Sequence, residues 1–71
     1  MNWNDIEDIA YALLNAHPDV NPLEVRFTQM LDWVMALDGF GGKRAESNEK
    51  RLEAIQMAWY EEYRDKHNQK N

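Results

Sequence analysis

Residues 47–66 read SNEKRLEAIQMAWYEEYRDK, and this stretch decides the fold because it carries the longest helical pattern in the chain. We predict that Ser47 is the N-cap, that Glu49 lies in the first turn, and that the helix ends near Lys66. Residues 67–71 are predicted to be a frayed tail, which leaves residues 1–66 as one helical domain. The inward positions recur at the spacing of one buried stripe, namely Leu52, Ile55, Ala58 or Trp59, and Glu62 or Tyr63.

A second helix is predicted near the start of the chain. Asn4 is its expected N-cap, and Glu7 follows at the capping-box position three residues later. The helix is expected to end at His17-Pro18, because the residue before a proline is pushed out of the helical region. Its apolar stripe consists of Ile6, Ile9, Ala10, Leu13 and Leu14.

The middle of the chain is predicted to contain a short helical turn followed by a third helix. Asn21-Pro22-Leu23-Glu24 is a helix-start signal, with proline at the first helical position. Thr28 is the expected N-cap of the longer helix, and Gly39 is expected to stop it. The apolar positions of that helix are Met30, Leu31, Trp33, Val34 and Leu37.

The remaining segments contain no signal for a sheet. Residues 39–46 include three glycines and two bases, so we predict a flexible loop there. A short extended link is expected around Arg26, and no segment shows the period-two alternation of a sheet strand. Trp33 and Trp59 fall on apolar stripes and Trp3 precedes the first N-cap, so we assign the tryptophans to the core rather than to a binding site. The predicted fold class is all-α, a small helical bundle.

The composition limits the classes of protein that fit. The chain has 71 residues, enough for one domain, and it has no cysteine. Disulfides, thiolate metal sites and a cysteine nucleophile are therefore excluded, and a reducing compartment is favoured. No run approaches the roughly 20 apolar residues of a membrane span, and the first residues lack the pattern of a signal peptide. We expect a cytoplasmic protein with no membrane partner.

Charge is divided unevenly along the chain. Residues 1–40 contain seven acidic residues and one base, Arg26, for a charge of −6, whereas residues 41–71 contain six acidic and seven basic residues, for +1. Together these give the net charge of −5. An acidic half repels phosphate backbones and attracts cations or a basic protein surface, so no nucleic-acid partner is expected.

No arrangement of residues predicts catalysis. The two histidines, His17 and His67, have no serine or acid at a spacing that indicates a nucleophilic relay, and Ser47 is explained as a cap. His17-Pro18-Asp19 matches the tripeptide of J-domain co-chaperones, but only one acidic helix precedes it, whereas a J-domain has two and uses a basic second helix. We interpret the tripeptide as a helix stop and turn. The chain is predicted not to be an enzyme.

The carboxylates of the N-terminal half form a candidate metal site. Asp5, Glu7 and Asp8 are clustered in sequence, and Asp19 and Asp38 follow further along the chain. Carboxylate oxygen suits hard or borderline divalent cations, and without thiolates such a site is weak and exchangeable. Spacing alone favours the other interpretation, a solvated helix start, where the positive end of the helix dipole favours acidic side chains.

Several separated motifs are distinctive in their order and spacing, namely Trp3-Asn4-Asp5, Pro18-Asp19, Val25-Arg26-Phe27-Thr28, Met30, Trp33, Asn48-Glu49-Lys50, Leu52-Glu53-Ala54-Ile55 and Trp59. In register from about Trp3 to Glu62, they closely resemble the IscX family of small acidic accessory proteins in bacterial iron–sulfur cluster assembly. The resemblance implies a mainly α-helical bundle similar to a modified winged helix. It also implies a non-enzymatic adaptor that docks on the cysteine desulfurase of the pathway and binds ferrous iron weakly through surface carboxylates.

The family resemblance also implies site residues and further partners. Asp5, Asp8, Asp19 and Asp38 match acidic positions of the family pattern, and Arg26 matches its exposed base, so these are the expected desulfurase-binding residues. The four aspartates are also the expected ligands of Fe²⁺. A frataxin-type protein is expected to compete for an overlapping site on the desulfurase, and we expect this chain to be a monomer.

The chain departs from the family pattern in one loop and in its tail. The family typically carries a run of aspartates after Phe40, where this chain has Gly41, Gly42 and Lys43. This loop has lost negative charge, which weakens the case for iron binding more than the case for desulfurase docking. Two other functions remain as alternatives: a winged-helix nucleic-acid-binding protein, which the charge opposes, and a stand-alone iron chaperone.

Overall fold

The computed structural model describes residues 1–68, and within them the chain is all-helical, as predicted. The three α-helices are α1 (Ile6–Ala16), α2 (Phe27–Met35) and α3 (Glu49–Asn68). Two short 3-10 helices, Pro22–Glu24 and Arg44–Glu46, lie in the connections. No strand occurs in residues 1–68, and the likeness to a winged helix stays a prediction. Among the described helices, none is both long and apolar enough to cross a membrane.

The core lies where the predicted stripes of α1 and α3 meet. The two helices run in the same direction, because Ile6 shares a groove with Arg51 and Ala54, and Leu14 shares one with Glu62. The buried apolar residues include every predicted stripe position of α1 except Ile6, which is half-buried and packs against the others. The buried apolar residues of the core are Trp3, Ile9, Ala10, Leu13, Leu14, Val25, Met30, Val34, Leu52, Ile55 and Trp59.

Helix α1 begins one residue later than predicted, and the capping box is not formed. Asp5 is the N-cap, and its side chain makes no capping hydrogen bond. Residues 2–5 instead form a turn of their own, in which the Asn2 amide donates to the Asp5 carboxylate at 2.9 Å and the Asn4 amide donates to the Asn2 side chain at 2.9 Å. This turn uses the polar side chains that would otherwise cap the helix, so the helix begins at Ile6.

The start and end of α2 also differ from the prediction. The helix begins at Phe27, because the Met30 amide donates to the carbonyl of Arg26 at 2.8 Å and so makes Arg26 the N-cap in place of Thr28. This start places Phe27, Met30 and Val34 on one inward face. The helix ends at Met35, before Gly39. Gly39 has φ 79° and lies in the turn that follows, which is a conformation that glycine adopts at little cost.

Helix α3 is capped by Asn48, and the prediction of Ser47 was wrong. The Asn48 side chain accepts a hydrogen bond from the Arg51 amide at 2.8 Å, whereas the Ser47 hydroxyl donates to the Arg44 carbonyl at 2.8 Å and so ends the preceding 3-10 helix. The helix passes the predicted boundary at Lys66 and continues through Asn68. Residues 67 and 68 of the predicted frayed tail, 67–71, therefore belong to the helix, and residues 69–71 lie outside the described residues.

The glycine-rich loop packs against the start of the chain, in contrast to the flexible loop that its composition predicts. The Met1 nitrogen donates to the Gly39 carbonyl at 2.9 Å, and the Gly41 amide donates to the Met1 carbonyl at 2.7 Å. The buried Trp3 indole N–H donates to the Lys43 carbonyl at 2.7 Å, and its ring meets Phe40 edge-to-face at 4.9 Å. We call this contact of residues 1–3 with residues 39–43 the N-terminal clasp.

The His17-Pro18-Asp19 tripeptide forms a turn that packs within the bundle. Helix α1 ends at Ala16, and His17 is its C-cap, which confirms the interpretation as a helix stop. The His17 ring stacks on Trp33 with centroids 3.8 Å apart, and the Pro18 carbonyl oxygen lies 3.1 Å from Nε2 of His67 near the end of α3. The histidine and the proline of the tripeptide are therefore engaged in contacts that stabilise this end of the bundle.

Candidate functional site

Two of the predicted site residues lie together at the start of α1. Asp5 is the half-buried N-cap, and Asp8 is exposed in the first turn of the helix. They line a shallow groove that contains no basic side chain, formed by Asn4, Asp5, Ile6, Glu7 and Asp8. These carboxylates lie at the positive end of the helix dipole, where acidic side chains are favoured, so this end of α1 presents negative charge to a partner.

Asp38 lies beside the second half of the same helix. It is exposed in the turn after α2 and shares a groove with α1, lined by Ala12, Asn15, Ala16, Ala36, Leu37 and Asp38. Asp8, Ala12 and Asn15 recur at helical spacing and therefore lie on one side of α1. We call the surface formed by Asp5, Asp8, Ala12, Asn15 and Asp38 the α1 face.

Asp19 and Arg26 are not part of the α1 face. Asp19 is exposed in the turn beyond the C-terminus of α1, which has 11 residues and so places Asp19 at the opposite end of the helix from Asp5. That length corresponds to about 16 Å. Arg26 is exposed and precedes α2 as its N-cap. The structure therefore places Asp5 and Asp8 together at the start of α1 and Asp38 beside its second half, whereas Asp19 and Arg26 line neither of these two grooves.

The four aspartates do not converge on a single position. Within residues 1–68, no three histidine or acidic side chains are grouped so that they could hold one metal ion. Asp5 and Asp8, three residues apart at the start of α1, form the closest pair of the four in sequence. A divalent cation on the α1 face would therefore have two carboxylate ligands at most and would keep water in its remaining positions.

A further groove adjoins the α1 face, and the sequence did not indicate it as a site. It lies between α1 and α3 and is lined by Tyr11, Leu14, Asn15, Glu62, Asp65 and Lys66. Tyr11 is 59% exposed, and within the described residues it is more exposed than the other exposed large hydrophobic side chains, Leu23 and Met57. One feature of the sequence could have indicated this site: Tyr11 lies off the apolar stripe of α1 and within one turn of Glu7 and Asp8.

The basic side chains are distributed differently from the acidic ones. Arg44 forms an ion pair with Asp32 at 2.6 Å, which is the single ion pair found in the described part of the chain. Lys50 and Arg51 lie at the start of α3, where Glu49 and Glu53 interrupt the positive charge. This arrangement does not form the continuous basic face that a nucleic-acid reader needs.

Comparison with known proteins identifies the family of this chain. A family model described as "Iron-sulphur cluster assembly" matches residues 1–64, which include the whole α1 face and the N-terminal clasp. An uncharacterized protein of Pseudomonas aeruginosa, PA3808, is 42% identical to this chain over 62 residues, which cover 87% of this chain and 94% of the relative. The resemblance inferred from the separated motifs is therefore confirmed, and the chain belongs to the IscX family of iron–sulfur cluster assembly proteins.

Proposed function

We propose that this protein is a non-enzymatic regulator of iron–sulfur cluster assembly that docks on the cysteine desulfurase of the pathway through the α1 face. The observation that carries the proposal is the grouping of Asp5, Asp8 and Asp38 on one surface whose grooves contain no basic side chain. Its role in cluster assembly follows from its family. The choice of the desulfurase as partner, and of the cytoplasm as its location, rests on the resemblance to IscX proteins.

The charge of the α1 face supports docking on a basic surface. Complementary potentials steer two proteins together and raise the association rate, and salt screens this attraction beyond about 8–10 Å at physiological ionic strength. The complex is therefore expected to form quickly, to weaken with salt, and to compete with any other acidic protein that uses the same basic surface. A frataxin-type protein is the competitor that the family resemblance implies.

We expect the double variant Asp8→Asn plus Asp38→Asn to bind the desulfurase about three- to tenfold more weakly at low ionic strength, since each exposed charge pair contributes roughly 0.2–1 kcal/mol. The measurement is a binding titration at two salt concentrations, run beside a desulfurase pull-down. The loss should shrink at high salt. Both aspartates are exposed, so the variant should keep the fold of the wild type.

The matched control for this experiment is Glu53→Gln plus Glu61→Gln. Both glutamates are exposed on α3, and neither lines the grooves beside α1, so the control removes the same charge from another surface. An equal loss in both double variants would mean that binding depends only on net charge. Failure of the wild type to bind the desulfurase at low salt would reject the docking proposal.

We further propose that the start of α1 binds ferrous iron weakly as cargo. Asp5 and Asp8 supply two carboxylates, and the exchangeable water ligands make the site weak. The double variant Asp5→Asn plus Asp8→Asn should bind Fe²⁺ at least about threefold more weakly in an anaerobic titration, because affinity follows the number of charged ligands. The control is again Glu53→Gln plus Glu61→Gln, and unchanged affinity in the aspartate variant would show that the two carboxylates are not ligands.

A further inference from the structure

The groove around Tyr11 joins an exposed aromatic ring to carboxylates from two helices. Tyr11 is 59% exposed and belongs to α1, whereas Glu62 and Asp65 reach the same groove from α3. Asn15, which belongs to the α1 face, also lines this groove. The ring therefore stands at the edge of the surface proposed for desulfurase docking and extends that surface toward α3.

The carboxylates near Tyr11 form no ion pairs with bases in residues 1–68. Neither Glu62 nor Asp65 forms an ion pair in the described part of the chain, although Lys66 lines the groove as well. Glu7 and Asp8 lie one helical turn before Tyr11, on the same side of α1. The surroundings of the ring are therefore acidic on both helices, with one lysine against four carboxylates.

We propose that this groove receives an arginine side chain of the basic partner, with the guanidinium stacked on the Tyr11 ring and hydrogen-bonded to the neighbouring carboxylates. The planar guanidinium can stack on an aromatic face and engage a carboxylate with two parallel hydrogen bonds. A lysine ammonium is more strongly hydrated and does not have this planar geometry. The chain already contains a related pair on α3, where the Arg64 guanidinium carbon lies 5.9 Å from the centre of the Tyr60 ring.

The negative charge of the groove and the exposed ring of Tyr11 together favour an arginine of the partner as the bound side chain. If a neutral apolar residue covered the Tyr11 ring, the carboxylates around it would lose water without gaining a partner. A cation in the same place pairs with these carboxylates and is also attracted to the face of the ring. Tyrosine and arginine are also among the residues that most often carry binding energy between proteins. Tyr11 is therefore assigned as the residue that determines which base the partner must present.

The first test uses the cysteine desulfurase, and in this form the inference rests on the proposed function. Tyr11→Ala should weaken binding about tenfold, whereas Tyr11→Phe, which keeps the ring, should stay within about twofold of the wild type. Both variants should fold, because Tyr11 is exposed and alanine favours the helix. Met57→Ala removes another exposed apolar side chain, on α3 outside the groove, and should leave binding unchanged. Equal affinity of wild type and Tyr11→Ala would overturn the inference while leaving desulfurase docking intact.

The second test does not depend on the desulfurase. Hexa-arginine and hexa-lysine peptides carry the same charge, and we expect the wild type to bind the arginine peptide more tightly in a fluorescence or NMR titration. This preference should disappear in Tyr11→Ala and persist in Tyr11→Phe. A wild type that binds both peptides equally would overturn the role of the ring. A preference that depends on Tyr11 would support the groove even if the desulfurase did not bind.

Discussion

Replacing Trp59 with alanine should leave the protein largely unfolded at 25 °C. Trp59 is fully buried, and it is the largest of the fully buried side chains. Its ring meets Trp33 edge-to-face with centroids 6.2 Å apart. Removing a buried tryptophan costs about 3–5 kcal/mol. A domain of this size has a net stability of about 3–5 kcal/mol, so this single loss removes most or all of it.

The measurement is urea unfolding followed by far-ultraviolet circular dichroism, with Met57→Ala as the control. Met57 lies two positions away on α3 and is 49% exposed, so its removal should change the free energy of unfolding little. Trp59→Phe gives a second comparison, because the buried indole N–H of Trp59 has no hydrogen-bond partner among residues 1–68. Phenylalanine removes that unsatisfied donor and keeps a ring in the core, so it should destabilise much less than alanine. A stable, fully helical Trp59→Ala would contradict the core described above.

The helices could be predicted because their buried faces follow a simple period. Ile9, Leu13 and Ile55 were assigned to inward faces from spacing alone, and all three are fully buried. Spacing left the next inward position open between Ala58 and Trp59, and Trp59 is the one that is fully buried. The helix starts were predicted less well: the N-caps of α1 and α3 lie one residue from the predicted positions, and that of α2 lies two residues away. At each of these points several polar residues lie side by side, and spacing alone does not show which one forms the cap.

The competition at the start of α3 shows the physical cause. Ser47 and Asn48 are both good caps, but Ser47 donates its hydroxyl to Arg44 and so belongs to the preceding 3-10 helix. Asn48 then becomes the residue whose side chain accepts from the first turn. Which residue caps α3 therefore depends on a hydrogen bond within the connecting segment. A prediction that considers each helix signal separately does not take this bond into account.

The candidate site could be predicted in part. Sequence spacing correctly indicated that Asp5 and Asp8 lie at one helix start, because three residues make nearly one turn. The position of Asp38 beside α1 depends on how the chain returns after α2, and only the fold shows it. The groove of Tyr11 was missed for the same reason, since Glu62 and Asp65 lie more than fifty residues further along the chain.

The glycine-rich loop illustrates the limit of composition as a guide. Three glycines between two helices indicate flexibility when they are considered without the rest of the chain. In the fold, Gly42 lies where the loop passes over the buried Trp3 ring, and Trp3 is fixed by its hydrogen bond to Lys43. The glycine is needed for close approach there, and the loop is part of the packed structure.

Gly42→Ala should therefore destabilise the protein by about 1–3 kcal/mol, the usual cost of overpacking. An added methyl group would lie 2.6 Å from Cδ1 of Trp3 and 2.8 Å from Cζ of Phe40, both closer than carbon atoms pack. Neither ring moves easily, because Trp3 is buried and the two rings pack against each other. The measurement is the free energy of unfolding from urea titration, compared with the wild type.

Gly41→Ala is the matched control, because it makes the same change one residue away. There the nearest atom to an added methyl group is the Met1 carbonyl oxygen at 3.7 Å, which is an ordinary contact. Since alanine also lowers the conformational entropy of the unfolded chain, Gly41→Ala should be neutral or stabilising by up to about 1 kcal/mol. Opposite effects at the two neighbouring glycines would show that the methyl clash with Trp3 and Phe40, and not the general loss of a glycine, governs the cost. Equal effects at both positions would mean that the N-terminal clasp does not hold the loop in the packed position.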